Sequence, residues 1–155
     1  MSYVVKGLDP KPYAELFGLS DGELAKRGIV RMIVDQTPSF PCRVSLTDRD
    51  IGERVLLLNH VSHDVANPYR ATHAIFVAEA AEAPAEYVDQ VPPVFEGRVL
   101  SLRGFDQDGM MADAVLAPAG EAEAGIRRLF ANPNIVSIHA HNAARGCFAA
   151  KIERN

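Results

Sequence analysis

Two histidines and one cysteine near the C-terminus are the residues of this chain best suited to nucleophilic chemistry. The segment 135–154 reads IVSIHAHNAARGCFAAKIER and contains His139, His141 and Cys147. An imidazole beside a thiol favours the thiolate, which is the nucleophilic form of cysteine. If the three side chains meet, the sequence predicts a catalytic group with Cys147 as nucleophile, His141 as its base and His139 as the residue that orients the base.

A hairpin is the element expected to bring these residues together. Apolar and polar residues alternate on both sides of the segment 142–146, which is typical of two half-buried strands joined by a loop. With a five-residue loop, His141 pairs with Cys147 across the hairpin. The two histidines and the cysteine are then expected on one face, and Phe148 on the other.

Two alternatives compete with this nucleophilic site. The H-x-H spacing of His139 and His141 could place two metal ligands on one strand face, with Cys147 as a third. Small cysteines and histidines also occupy the faces of sheets without any chemical role. The paired-cysteine spacing of structural zinc sites is absent, so we assign no metal ligand. The sequence identifies no cofactor, since it lacks the G-x-S-x-G, Walker, Rossmann and H-E-x-x-H strings.

A second group of residues is suited to an anionic ligand. The segment 60–73, HVSHDVANPYRATH, has no apolar periodicity and is expected to form an irregular loop, a kind of segment that is often functional. Guanidinium groups and a phenol are suited to a carboxylate or phosphate, although each arginine could instead pair with a nearby acid. We expect the site between this loop and the turn of the C-terminal hairpin. The predicted ligand-binding residues are Arg43, Tyr69, Arg70, Asn142 and Arg145.

Hydrophobic periodicity along the rest of the chain predicts short strands and few helices. Ser20 and Glu23 have the spacing of a capping box, which marks helical structure within residues 10–27. Together, these patterns predict an α+β fold that forms a single domain over residues 1–155. It has a mainly antiparallel sheet, an N-terminal helical segment and one helix before the C-terminal hairpin. The other expected elements are strands over 29–34, 42–46, 54–59, 74–78, 98–105 and 110–116, with 42–46 and 54–59 paired as a hairpin, and a helix over 121–130.

Composition excludes several classes of partner. The formal net charge is −4, with 48% hydrophobic residues, so we expect no nucleic acid and no anionic membrane as a partner. No apolar run approaches the roughly 20 residues that span a bilayer, and the N-terminus lacks a signal-peptide pattern. The expected location is therefore the cytoplasm, where Cys42 and Cys147 are expected to be free thiols.

Several short motifs, taken together, resemble a bacterial family known as domain of unknown function 1203. The resemblance extends over essentially the whole chain. It implies a single domain and brings no activity, cofactor or partner. The motifs are Phe40-Pro41-Cys42-Arg43, Gly52-Glu53, Pro68-Tyr69-Arg70 before Ile75-Phe76, His141-Asn142-x-Ala144-Arg145-Gly146-Cys147, and Arg154.

The sequence leaves two classes of function open. The first is a small-molecule site, binding or catalytic, with an anionic ligand favoured by the arginines. The second is a non-catalytic interaction module, such as a homodimer whose sheet faces pack together. The absence of any complete catalytic motif motivates the second class.

Overall fold

Nine strands and three short α-helices make up the molecule, whose computed structural model describes residues 1–155. All the strand pairs within the two sheets are antiparallel, which confirms the predicted α+β class. The elements are β1 (Tyr3–Lys6), α1 (Lys11–Ala14), a 3-10 turn (Glu15–Gly18), α2 (Asp21–Lys26), β2 (Val30–Ile33), β3 (Arg54–His63), β4 (Ala71–Ala78), β5 (Glu86–Val88), a 3-10 turn (Pro93–Phe95), β6 (Leu100–Phe105), β7 (Met111–Ala117), α3 (Ala122–Phe130), β8 (Ser137–Asn142) and β9 (Phe148–Arg154).

The larger sheet has six strands in the order β5-β1-β9-β8-β6-β7. The predicted helix before the C-terminal hairpin is α3, which packs against β6 and β7. Ile126 and Leu129 on α3 meet Leu102 and Ile138 on the sheet, and all four side chains are buried. This apolar core fixes β6 and β8 in place, and β8 is the first strand of the predicted C-terminal hairpin.

The smaller sheet has three strands in the order β2-β3-β4. Its apolar residues, among them Leu56 and Ile75, form a second core with the N-terminal helical segment. That segment is confirmed, and α2 begins with the predicted capping box, in which Ser20 and Glu23 satisfy each other's backbone N–H groups. The small sheet thereby forms a second layer beside the hairpin.

The expected irregular loop over 60–73 is wrong for half of its length. β3 continues to His63 and β4 begins at Ala71, so only seven residues connect them. The sequence pattern conceals these strands because their histidines are buried or half-buried in the positions that apolar residues would otherwise occupy. Strand β3 is therefore ten residues long.

The expected strand over 42–46 is also wrong, as is its pairing with 54–59. The segment is a tight turn in which Leu46 N–H donates to the Cys42 carbonyl, and Leu46 has a φ of 54°. β3 pairs instead with β2 and β4. The alternation of apolar and polar residues gives a wrong prediction here because burial does not alternate along this segment. Its buried residues are Cys42, Arg43, Val44 and Leu46.

Candidate functional site

The C-terminal hairpin forms, but its register differs from the predicted one. His141 pairs with Phe148, whereas Ala140 pairs with Ala150, so a β-bulge lies between these pairs. Asn142 N–H donates to the Cys147 carbonyl, which aligns those two residues at the turn. Because successive residues of a strand point to opposite faces, Cys147 lies on the side of Asn142 and away from His141. The expectation that Cys147 shares a face with the histidines, and Phe148 does not, is wrong.

A cavity of about 560 Å³ lies at the turn end of the hairpin. Ligand pockets generally have volumes of roughly 300–1,000 Å³, so this one is large enough for a small organic molecule. One wall is the hairpin turn, and the other comes from the segment between β2 and β3 together with β4. The lining residues are Met32, Gln36, Pro38, Ser39, Phe40, Pro41, Arg43, Phe76, Arg98, Val99, Asn142, Ala143, Ala144, Arg145 and Cys147.

Arg43 is the most deeply placed charge of this cavity, with only 3% of its surface exposed. Its Nε donates to the Phe148 carbonyl at 2.8 Å, and Nη1 donates to the Pro41 carbonyl. Nη2 lies 3.3 Å from the sulfur of Cys147. No carboxylate pairs with Arg43. Burial lowers the pKa of this guanidinium, and the nearby Cys147 sulfur acts in the opposite direction.

The Cys147 sulfur accepts from two N–H donors. The side-chain amide of Asn142 is 3.2 Å from Sγ, and Arg43 supplies the second contact. Asn142 Oδ1 is buried without any hydrogen-bond partner. The other cysteine, Cys42, is completely buried in the small-sheet core, and both thiols are free, as expected.

Two further arginines line the cavity, and no aspartate or glutamate does. Arg98 donates to both carboxylate oxygens of Asp48, at 2.9 and 2.7 Å. Asp48 does not line the cavity, but its carboxylate compensates the charge of Arg98. Arg145 is exposed and makes neither an ion pair nor a side-chain hydrogen bond. The cavity thus carries a positive charge in a chain whose formal net charge is −4.

The predicted histidines lie elsewhere, between the two sheets. The rings of His63 and His139 are 4.9 Å apart, and those of His73 and His141 are 4.7 Å apart. His60 pairs with His73 across β3 and β4, so all five histidines of the chain form one group, which we call the intersheet histidines. The predicted Cys147–His141 pair is therefore absent, because His141 Nδ1 donates to the Gly146 carbonyl at 3.0 Å and its ring contacts Phe148 and His73.

Burial favours the neutral form of four of the intersheet histidines. The pKa of His139 is lowered to about 3, mainly by burial and then by His63, His141, Lys151 and Arg103. Burial lowers the pKa of His141 to about 4, against the opposing effect of its bond to the Gly146 carbonyl. His60 and His73 also have lowered pKa values, again mainly because of burial.

Tyr69 and Arg70 do not line the cavity. The Tyr69 ring faces Phe105, which pairs with Ser137 at the end of β8 opposite the turn. Arg70 pairs with Asp64 within the β3–β4 connection. The structure thus brings Arg43, Asn142, Arg145 and Cys147 together, and it separates them from Tyr69, Arg70, His139 and His141.

The geometry offers no ready metal site and no membrane-spanning helix. No three side chains of the types His, Cys, Asp and Glu are arranged so that they could hold one metal ion. The intersheet histidines approach one another as ring-to-ring contacts instead. None of the helices has both the length and the apolar character needed to cross a bilayer.

Sequence reasoning missed Arg98 and the aromatic residues of the cavity. Arg98 precedes β6 without any motif, so nothing in its neighbourhood distinguishes it. Phe40 and Phe76 do stand in the motifs that carry the family resemblance, and their rings lie 5.0 Å apart in one wall of the cavity. Arg154 of the same motifs has a structural role, because it donates to the carbonyls of Phe130, Asn132 and Ile135 behind α3.

The fold and the cavity together define an α+β protein with a cationic, partly aromatic pocket at the end of a two-sheet structure. A family model described as protein of unknown function (DUF1203) matches residues 39–154, and the chain belongs to this family. No curated protein and no solved structure matches the chain. The matched range contains both walls of the cavity except for Met32, Gln36 and Pro38.

Proposed function

We propose that the cavity binds a small organic anion that carries an apolar group. The observation that carries this proposal is the charge of the lining: three arginines and no acidic side chain. Arg43 and Arg145 have no carboxylate partner, so an anionic ligand would supply the missing counter-charge.

The hydrogen-bonding capacity of Arg43 supports a planar anion. A guanidinium has five N–H donors, and the protein accepts from Nε, Nη1 and Nη2 of Arg43 once each. By this count two N–H groups, one on each terminal nitrogen, have no acceptor in the protein. A planar guanidinium with two such donors is suited to a carboxylate.

The remainder of the lining suits an apolar part of the same ligand. Phe40 and Phe76 form a tilted aromatic pair, and Met32 and Val99 line the same cavity. Most small-molecule sites combine such an apolar wall with a few polar groups that fix orientation. An aryl or short acyl carboxylate therefore fits both the charge and the surface of this pocket.

Binding of 3-phenylpropionate tests this function. We expect the carboxylate to raise the melting temperature in proportion to its concentration and to give a heat of binding by calorimetry, whereas the neutral 3-phenylpropanamide does neither. Arg145→Gln should weaken binding by about tenfold, the usual effect of losing one charged hydrogen bond.

Arg128→Gln is the matched control, because Arg128 is also exposed and unpaired but lies on α3. It should leave the affinity unchanged. Equal binding of the acid and the amide, or equal losses in both variants, would contradict an anion site in this cavity.

A second candidate function, homodimerisation, has one observation in its favour. β2 is an edge strand, and Val30 and Ile33 on it are 53% and 55% exposed. Unprotected apolar edge strands commonly pair with another chain. Sedimentation velocity should then show a concentration-dependent dimer that Ile33→Lys disrupts; a monomer at every concentration removes this candidate.

A further inference from the structure

We propose that Cys147 is the nucleophile of this cavity, and that its substrate is a small electrophile with a carboxylate close to the reactive carbon. This inference rests on the proposed anion site and adds a covalent step to it. It combines three features: the surroundings of the sulfur, unpaired backbone N–H groups beside it, and the position of Arg43.

The groups around the Cys147 sulfur are hydrogen-bond donors, so the sulfur is the acceptor. Asn142 Nδ2 and Arg43 Nη2 both direct N–H groups at Sγ, at 3.2 and 3.3 Å, and no acceptor lies there for a thiol proton. A thiolate accepts such bonds better than a thiol does, because its charge is negative. Cys147 is partly exposed and lines the cavity, so a ligand can reach its sulfur.

The hairpin turn contributes backbone donors next to the sulfur. The N–H groups of Ala143 and Gly146 donate to the carbonyls of Val99 and Asn142, whereas those of Ala144, Arg145 and Cys147 donate to no group of the protein. Successive free N–H groups in a turn can bind an anion, so they add to the positive charge of Arg145 at this end of the cavity.

The position of Arg43 sets how far the reactive carbon of the substrate can lie from the carboxylate that Arg43 binds. The Nη2 atom that contacts Sγ also carries one of the two free N–H groups. A carboxylate bound to Arg43 therefore lies beside the sulfur, and a carbon one or two bonds from that carboxylate is within reach of attack. Arg145 at the turn contributes a second positive charge.

The absence of an acid beside the sulfur limits the reaction. His141 is bound to the Gly146 carbonyl on the other side of the hairpin, and the contacts of Sγ are only an amide and a guanidinium, neither of which protonates a leaving group. The reaction is therefore a displacement by the Cys147 thiolate, formed when the thiol proton passes to solvent. A bond forms between Sγ and the electrophilic carbon, the bond from that carbon to the leaving group breaks, and the electron pair departs with the leaving group as a stable anion. No oxidant, reductant or metal takes part.

Alkylation by iodoacetate and by iodoacetamide tests this inference, because the two reagents differ only in the carboxylate. In both, the S–C bond forms and iodide leaves. We expect iodoacetate to modify Cys147 at least several-fold faster, relative to iodoacetamide, than it modifies N-acetylcysteine under the same conditions. Mass spectrometry of the peptide containing Cys147 measures both rates, and the buried Cys42 should remain unmodified.

Two variants and one competing ligand test whether the cavity causes the faster reaction with iodoacetate. Arg145→Gln should slow alkylation by iodoacetate several-fold more than alkylation by iodoacetamide, whereas Arg128→Gln should change neither rate. Saturating 3-phenylpropionate should protect Cys147 from both reagents. A reagent ratio equal to that of N-acetylcysteine, or a Cys147 that reacts with neither reagent, overturns the inference, and calorimetric binding of 3-phenylpropionate by the same preparation shows that the binding site survives this failure.

Discussion

Between pH 6.5 and pH 4 the free energy of unfolding should fall by several kcal/mol, because His139 and His141 are neutral in the folded protein. His139 and His141 have pKa values of about 3 and 4 in the folded protein, against 6.5 for an exposed histidine. Both side chains are at least 97% buried, so solvent screens this effect little. A difference of one in pKa corresponds to about 1.4 kcal/mol.

The sign follows from proton uptake. Below pH 6.5 the unfolded chain protonates both histidines, whereas the folded protein does so only near pH 4 and pH 3. The unfolded state therefore binds more protons over this window, and stability decreases as the pH falls, by up to about 1.4 kcal/mol per pH unit for each residue. At pH 7 both histidines are neutral in either state and no stability is lost.

Burial is the main reason why a proton on His139 is unfavourable, and positively charged neighbours add to the effect. Arg103 on β6 and Lys151 on β9 flank His139 in one row across the sheet, and His63 faces it from β3. A proton on His139 would place a third positive charge in this row. Glu153, which pairs with Lys151, is the only acidic residue that forms an ion pair with a member of this row.

Urea unfolding at a series of pH values measures this loss. In His139→Phe the ring no longer titrates and remains among Phe105 and Phe148, so the decrease between pH 6.5 and pH 4 should be shallower by about one proton. Carboxylates also titrate in part of this range, but they are the same in both proteins and cancel in the comparison. Parallel pH profiles for the two proteins would refute this account.

Removal of Arg43 should have the second large effect, on stability as well as on binding. Arg43→Met leaves the buried carbonyl of Phe148 and the half-buried carbonyl of Pro41 without these donors, and an unsatisfied buried acceptor costs about 1–3 kcal/mol. We expect a loss of about 3 kcal/mol or more in the free energy of unfolding, measured by urea titration at pH 7.

Two comparisons separate the causes of that loss. Arg145→Met removes an exposed charge from the same cavity and should change stability by less than about 0.5 kcal/mol. Arg43→Lys keeps the charge but lacks the planar fork, so it should recover only part of the stability. Full recovery by lysine would show that the charge alone, and not the three directed bonds, holds the turn to β9.

The elements with a local sequence signal, such as a cap, an apolar stripe or an Asp-Gly turn, could be predicted from the sequence, whereas the full extent of β3 and β4 could not. The α2 capping box, α3 and the β6–β7 hairpin follow from local patterns. The histidines of β3 and β4 are buried polar groups whose role depends on the opposite sheet, so the sequence pattern predicts a loop there. Local periodicity contains no information about such a partner.

The candidate site could be predicted only in part for a similar reason. Cys147, Arg43, Asn142 and Arg145 were identified by residue type and do meet in one cavity. The bulge in the hairpin could not be predicted from the sequence, since the alanines around position 149 allow more than one register. A single inserted residue therefore separates the thiol from the imidazoles that the sequence predicts as its partners.

Phe148 belongs to both regions, because its carbonyl accepts from Arg43 while its ring contacts His60, His139 and His141. We therefore expect any coupling between occupation of the cavity and protonation of the histidines to pass through this residue. Linkage of this kind is reciprocal: if an anion that steadies Arg43 makes the folded protein more tolerant of acid, then acid must strengthen the affinity for that anion by the same free energy.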